Sequence, residues 1–183
     1  TVITPHHMGY QGGYRGYNWK CFTEGDITPF VEMYSRHGLA ESDQGDYPYL
    51  HDMGPRQWEG TIQYGLELGN KFGIMASTDQ HSGYPGSYGD GRIGVLAPSL
   101  TRDAIWEALR TRHVCAATGD KIIIDFRLND ALMGDVVRGN SRRIYLNVTG
   151  ESCIDYVDIV KNGQILARMS GPLTPVAPEG DTV

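Results

Sequence analysis

The chain has 183 residues and a formal net charge of −6, with 40% hydrophobic and 21% charged residues. That length allows one domain, or one domain and a small second one, with a real hydrophobic core. Lysine and arginine form no cluster, so a nucleic-acid-binding groove is not expected. No apolar run approaches the roughly 20 residues that a membrane-spanning helix needs. Three isolated cysteines disfavour a disulfide framework and a cysteine zinc site, and a cytoplasmic or a periplasmic location stays open.

The first 119 residues are predicted to form an α/β domain. Short apolar runs between glycine and proline predict strands, and a 3.6-residue apolar repeat predicts helices. The order of elements is typical of a sheet whose functional residues lie at strand ends. The predicted elements are a strand end at 1–4, a strand at 30–35, a helix at 56–71, a strand from 73, a strand at 93–97, a helix at 101–112 and a strand at 114–118.

Residues 120–183 are predicted to form a small β-rich appendage. Partly alternating apolar runs indicate strands, and Asn162-Gly163 is a strong hairpin signal between 155–161 and 164–169. The tail from Gly171 contains three prolines and is predicted to be an edge segment or a linker. Nothing in this region suggests a catalytic constellation.

The triplet Asp79-Gln80-His81 is the main candidate for chemistry. It ends an apolar run that begins at Gly73, so Asp79 and His81 project to the same side, about 7 Å apart along an extended backbone. A carboxylate and an imidazole in that arrangement suit a divalent metal ion. The alternative is that Asp79 caps a turn and His81 is an ordinary loop histidine.

Further candidates follow the other predicted strands. His6 and His7 come directly after the first strand, and imidazole is the commonest metal ligand among side chains. Glu32 lies inside an apolar strand, where an ionised group is costly unless it is paired or bound to metal. His37 follows the end of that strand. The alternative for the histidines is that they are exposed loop residues.

The loop from Gly9 to Asp26 is dense in glycine and aromatic residues. Long loops in compact domains are often functional, so Arg15, Trp19 and Lys20 are candidates to contact an anionic or sugar-like substrate. The equally weighted alternative is a loop that packs on its own rings.

Three motifs together resemble the C-terminal motifs of the PHP (polymerase and histidinol phosphatase) superfamily of metallohydrolases. The similarity is to its large uncharacterised bacterial branch, a domain of unknown function, and it extends over nearly the whole chain. The motifs are Thr4-Pro5-His6-His7, Val31-Glu32-Met33-Tyr34-Ser35 with His37-Gly38, and Ser77-Thr78-Asp79-Gln80-His81-Ser82-Gly83.

The resemblance implies the C-terminal part of a distorted (βα)7 TIM-like barrel with two or three zinc, manganese or iron ions at its strand ends. It implies His6 or His7, Asp79 and His81 as metal ligands, and Glu32 as a ligand or a neighbouring partner. Catalysis would rest on Asp79, His81 and His37, the last as a substrate-side or metal-side group. The implied reaction is hydrolysis of a phosphoester or a related small anionic ester by a metal-activated water.

The segments that open such proteins, with further histidines and a bridging carboxylate, are not found in these 183 residues. We therefore expect the chain to be a fragment whose remaining barrel comes from the same precursor or from a partner chain. The alternative is a non-catalytic module that binds a ligand or carbohydrate, or serves structure, on a degenerate half-barrel.

Overall fold

The computed structural model describes residues 1–43, 53–87 and 90–170, which belong to two compact units. The first unit comprises Thr1–Gly119 and Met133–Asp135, and the second comprises Asp120–Leu132 and Val136–Val183. The predicted proline-rich tail from Gly171 lies outside the described residues, as do positions 44–52 and 88–89 of two predicted loops.

Strands predominate in the described part of the chain. Ten strands accompany two α-helices and two short 3-10 helices. In chain order the elements are a 3-10 helix Trp19–Cys21, β1 Phe30–Ser35, β2 Gly38–Leu39, a 3-10 helix Trp58–Gly60, α1 Ile62–Glu67, β3 Gly73–Ala76, β4 Gly91–Val95, α2 Arg102–Arg110, β5 Val114–Thr118, β6 Ile123–Leu128, β7 Ala131–Leu132, β8 Ile144–Thr149, β9 Tyr156–Lys161 and β10 Gln164–Ser170.

The first unit contains two small sheets. One has the order β2-β1-β3, in which β1 and β3 are parallel and β2 pairs with β1 as a tight antiparallel hairpin. The other is the antiparallel pair β4-β5. The parallel pairing of β1 with β3 is the feature that positions the candidate site, because parallel strands end at the same edge of a sheet.

The predicted (βα)7 barrel is wrong. Such a barrel repeats a parallel strand followed by a helix, whereas the described residues form four separate small sheets and no closed barrel. The predicted helix at 56–71 is reduced to the 3-10 turn Trp58–Gly60 and the six-residue α1, which are separated by the extended backbone of Thr61, with ψ of 162°. Gly69, with φ of 85°, lies just beyond the end of α1. Residues 1–4 were predicted to end a strand, but they form none with the described residues. Ile3 N donates one backbone hydrogen bond, to Ile27 O at 2.7 Å.

The hydrophobic core of the first unit gathers the faces of β1, α1 and the glycine-rich loop. Trp19 is 5% exposed, stacks on Phe72 and donates its indole N–H to the carbonyl oxygen of Thr61 at 3.0 Å. The tryptophan is therefore a core residue whose one polar atom is satisfied. The buried members of the core are Met8, Trp19, Val31, Ala40, Ile62 and Phe72.

The described residues of the second unit form two antiparallel sheets. One has the order β7-β6-β8, and the other is the hairpin β9-β10. The predicted hairpin turn is confirmed, with φ of 52° at Asn162 and 70° at Gly163, as the twist of a two-residue turn requires. In neither unit do the described residues form a helix that is long and apolar enough to cross a membrane.

We predict that Gly65→Ala destabilises the first unit by about 1–3 kcal/mol, the usual cost of overpacking a core. An added Cβ would lie 2.2 Å from Cζ2 of Trp19, which is itself buried. Urea unfolding followed by tryptophan fluorescence measures the change. The matched control is Gly12→Ala, whose Cβ would meet only Oε1 of Gln57, at 3.8 Å. Equal stability of the two variants would contradict this account of the core.

Candidate metal centre

The carboxyl ends of β1 and β3 carry the candidate ligands to one place. Tyr34 pairs with Ala76 in the parallel register, and Ser77 N donates to Tyr34 O at 2.9 Å just beyond it. The chain that leaves β1 reaches His37 within two residues, and the chain that leaves β3 reaches Asp79 within three. His37 and Asp79, which are more than 40 residues apart in the sequence, therefore lie close together in the structure.

The segment before β1 supplies two more histidines. Glu32 N donates to Pro5 O at 3.2 Å, so the chain at Pro5 runs alongside β1 and places the next residue against the Glu32 side chain. His6 and His7 are neighbours with ring centroids 4.0 Å apart. The backbone of His7 is left-handed, with φ of 58°, a conformation that non-glycine residues adopt where their surroundings impose it.

The side chain of Glu32 contacts both the segment before β1 and the chain that leaves β3. Its side chain is 9% exposed, and each carboxylate oxygen is engaged. One oxygen bonds Nδ1 of His6, and the other accepts a hydrogen bond from Oγ of Ser77. Of the two roles left open by the sequence, this geometry favours an orienting partner over a direct metal ligand, because both oxygens already have protein partners.

Asp79 lies where the histidines converge. Its Oδ2 is 3.4 Å from Nε2 of His37 and 3.6 Å from Nε2 of His6, and its Oδ1 is 3.2 Å from Nε2 of His81. Oδ2 is buried and accepts no hydrogen bond from any described residue. The backbone of Asp79 is also left-handed, with φ of 45°. A buried carboxylate oxygen without a hydrogen bond is costly, unless a cation satisfies it.

Two groups of possible ligands share Asp79. The first is His6, His7 and Asp79, and the second is His37, Asp79 and His81. Within each group one nitrogen or oxygen atom per residue lies within 4.8 Å of the others. Five of the six candidate metal or catalytic residues from the sequence therefore lie in two groups around the Asp79 carboxylate. The sixth, Glu32, is hydrogen-bonded to His6.

The separations fit a divalent cation. Ligand atoms about 2.1 Å from a tetrahedral zinc ion are about 3.4 Å from one another. The distances of 3.2–3.6 Å from the Asp79 oxygens to nitrogens of His6, His37 and His81 are close to that spacing, and the other pairs in each group lie within 4.8 Å. Each group offers three protein ligands, the number typical of catalytic zinc sites, which keep a further position open for water or substrate.

The two adjacent histidines have opposite protonation tendencies. The hydrogen bond to Glu32 raises the pKa of His6 above its ordinary value, outweighing the effect of burial. Burial lowers the pKa of His7, and the nearby charge of His6 lowers it further. His7 is thus disposed to offer a neutral nitrogen. Neutral His6, with its Nδ1–H donated to Glu32, presents the Nε2 lone pair toward Asp79.

A small cleft opens beside the first group. Its walls include His7, Glu32 and His37 together with Met33 and the buried Met8. Three of the candidate residues therefore line the cleft.

The three candidate substrate residues of the glycine-rich loop, Arg15, Trp19 and Lys20, belong to neither ligand group. Trp19 is buried in the core, so its ring does not face a ligand. Arg15 and Lys20 are exposed. Arg15 lies close enough to His7 for its charge to contribute to lowering the pKa of that histidine. Neither cation belongs to the two ligand groups.

Ser77 is a member of the site that sequence reasoning did not single out. Its hydroxyl bonds the buried Glu32 carboxylate across the sheet. The one available signal was Glu32 itself, since an ionised group within an apolar strand predicts a polar partner on a neighbouring strand.

No family model matches this chain, and no solved structure matches it either. The chain is 28% identical over 153 residues to an uncharacterised protein of Chlamydia pneumoniae, covering 74% of this chain and 25% of that protein. It is 27% identical over 169 residues to an uncharacterised protein of Chlamydia trachomatis serovar D, covering 82% and 27%. The chain thus spans about a quarter of the length of these curated relatives, and their descriptions give no activity.

We predict that Glu32→Gln lowers the pKa of His6 and makes the stability of the cation-free protein less dependent on pH. A pKa raised by folding stabilises the folded state below the ordinary histidine value, about 6.5, and that contribution is lost as pH rises through the folded pKa. The stability deficit of the variant is therefore larger at about pH 6 than at about pH 9.

Urea unfolding at the two pH values measures the deficit, and histidine NMR titration measures the pKa directly. Glu67→Gln, at an exposed position at the end of α1, is the matched control. A deficit that is equal at both pH values would show that the carboxylate does not stabilise protonated His6.

Proposed function

We propose that this chain carries the cation-binding centre of a metal-dependent hydrolase that acts on a small anionic ester, with a phosphoester as the expected class. The observation that carries the proposal is the Asp79 carboxylate, which is shared by two groups of histidines at ligand spacing. The resemblance of the motifs to the PHP superfamily supports the reaction class. The proposal takes no support from the barrel fold of that superfamily.

The chemistry of the donors supports two divalent cations, with zinc, manganese and iron as the candidates. Imidazole nitrogen and carboxylate oxygen are ligands that all three accept. Two positions bridged by one carboxylate are the arrangement found in enzymes that use paired metal ions for hydrolysis. His6, His7 and Asp79 would hold one cation, and His37, Asp79 and His81 would hold the other.

The protein side chains have distinct roles in this proposal. Glu32 holds His6 in the tautomer whose Nε2 carries the lone pair, and Ser77 holds Glu32 in place. His7 stays neutral because burial lowers its pKa. Cations bound in the two groups would lower the pKa of a water molecule and withdraw electron density from the ester. No side chain has to act as a covalent nucleophile.

Binding of an anionic substrate is supported by the surroundings of the cleft. The exposed guanidinium of Arg15 lies near His7, and Lys20 belongs to the same loop. These features support an anionic substrate and leave its identity to experiment.

We predict that Asp79→Asn weakens binding of both cations by more than the 10- to 100-fold that a partner behind a ligand typically contributes. The reason is that both groups use this carboxylate. Equilibrium dialysis with zinc and with manganese, followed by elemental analysis, measures the bound ions per chain. Hydrolysis of chromogenic phosphomonoesters and phosphodiesters is measured on the same samples.

Asp103→Asn in the first turn of α2 makes the same chemical change away from the site and is the matched control. Unchanged cation binding in Asp79→Asn would refute the centre. Cation binding without hydrolysis of either phosphoester would refute the proposed substrate class while leaving the centre intact.

A further inference from the structure

Gln80 lies in the sequence between the two candidate ligands Asp79 and His81. Both the oxygen and the nitrogen of its side-chain amide form hydrogen bonds. Its Oε1 accepts hydrogen bonds from Ser82 N at 2.9 Å and from Nη1 of Arg36 at 3.3 Å. Its Nε2 donates to Oγ of Ser87 at 3.3 Å. Two donors face the oxygen and one acceptor faces the nitrogen, so the orientation of the amide is fixed.

The loop that displays Asp79 and His81 has few other restraints. The last backbone hydrogen bond of β3 is that from Ser77 N to Tyr34 O. Beyond it, residues 78–87 form their own tight turns at 81–82 and 85–86, and no backbone hydrogen bond connects them to another described segment. The left-handed backbone at Asp79 therefore depends on side-chain contacts to persist, and three of these contacts converge on Gln80.

The bonds of Gln80 reach both sides of the second ligand group. Arg36 directly precedes His37, so the contact from Arg36 to Gln80 connects the end of β1 with the residue between Asp79 and His81. On the other side, Ser87 donates its own hydroxyl hydrogen to Oδ2 of Asp90 at 2.6 Å, one residue before β4. The amide thus joins the ends of β1 and β3 to the start of β4.

We propose that Gln80 is the positioning residue of the cation centre, and that its amide sets the separation of His37, Asp79 and His81. This inference rests on the proposed function, since it concerns the same centre. A single exposed hydrogen bond contributes little, but three bonds on one amide leave it one arrangement. Gln80 belongs to neither ligand group, so its effect on cation affinity passes through the loop backbone.

The experiment compares three variants in titrations of the cation-free protein with cobalt(II), followed by visible absorption. Gln80→Met keeps the length of the side chain and removes all three hydrogen bonds. Gln80→Glu keeps an acceptor for Arg36 and Ser82, and it loses the donor to Ser87. Gln164→Met makes the same chemical change at an exposed position in β10 and is the control.

Gln80→Met is expected to bind cobalt about 10- to 100-fold more weakly than the wild type, the usual effect of losing a partner that orients ligands. Its unfolding midpoint without cation stays at the wild-type value, Gln80→Glu regains most of the affinity, and Gln164→Met binds like the wild type. Wild-type affinity in Gln80→Met would overturn the role of Gln80 and leave the proposed function standing.

Two other results would also overturn the inference. Weaker binding in Gln80→Met together with a matching loss of stability, and no recovery in Gln80→Glu, would show a merely structural role. Absence of cobalt binding in the wild type would overturn the proposed function, and the role of Gln80 with it.

Discussion

The arrangement of the site depends on the burial of one carboxylate, that of Glu32, within β1. An ionised group in that position costs several kcal/mol unless charged or hydrogen-bonding partners offset the lost hydration. The partners come from two other segments: His6 from the chain that runs alongside β1, and Ser77 from the end of β3. The pairing that offsets the cost of burial therefore also fixes three segments of the first unit against one another.

The carboxylate of Asp79 differs from that of Glu32 in its hydrogen-bond partners. Glu32 has partners for both oxygens, whereas Oδ2 of Asp79 is buried without a hydrogen bond from the described residues and is approached by His6 and His37 at 3.6 and 3.4 Å. The other oxygen of Asp79 is hydrogen-bonded to His81 at 3.2 Å. A divalent ion between Asp79 and the histidines would satisfy the carboxylate and the nitrogen lone pairs together, and its binding would stabilise the folded site.

The sequence predicted the individual strands more successfully than the fold. β1, β5 and the β9-β10 hairpin follow from apolar runs and from Asn162-Gly163, which are local signals. The convergence of His37 with Asp79 depends on the parallel register of β1 and β3, which no local pattern records. His37 and Asp79 follow the ends of β1 and β3, which the sequence marks, whereas His6 and His7 follow a predicted strand at 1–4 that the described residues do not form. The role of these residues as metal ligands stays a prediction.

Tertiary packing accounts for two of the errors. The predicted helix at 56–71 followed an apolar repeat, but Gly65 is a site of close approach, where an added Cβ would overlap the indole of Trp19. For the same reason Trp19, a candidate to contact substrate, is a core residue. The barrel was inferred from the resemblance of short motifs, which concern the ligands and not the sheet that carries them.

The most direct test of the account is a crystal structure of the protein soaked in zinc, with anomalous difference maps recorded on both sides of the zinc absorption edge. The account predicts two peaks that flank the Asp79 carboxylate, about 2.0–2.2 Å from its oxygens and from nitrogens of the histidines in the two groups. Absence of zinc density at Asp79, or zinc held only by other residues, would contradict it.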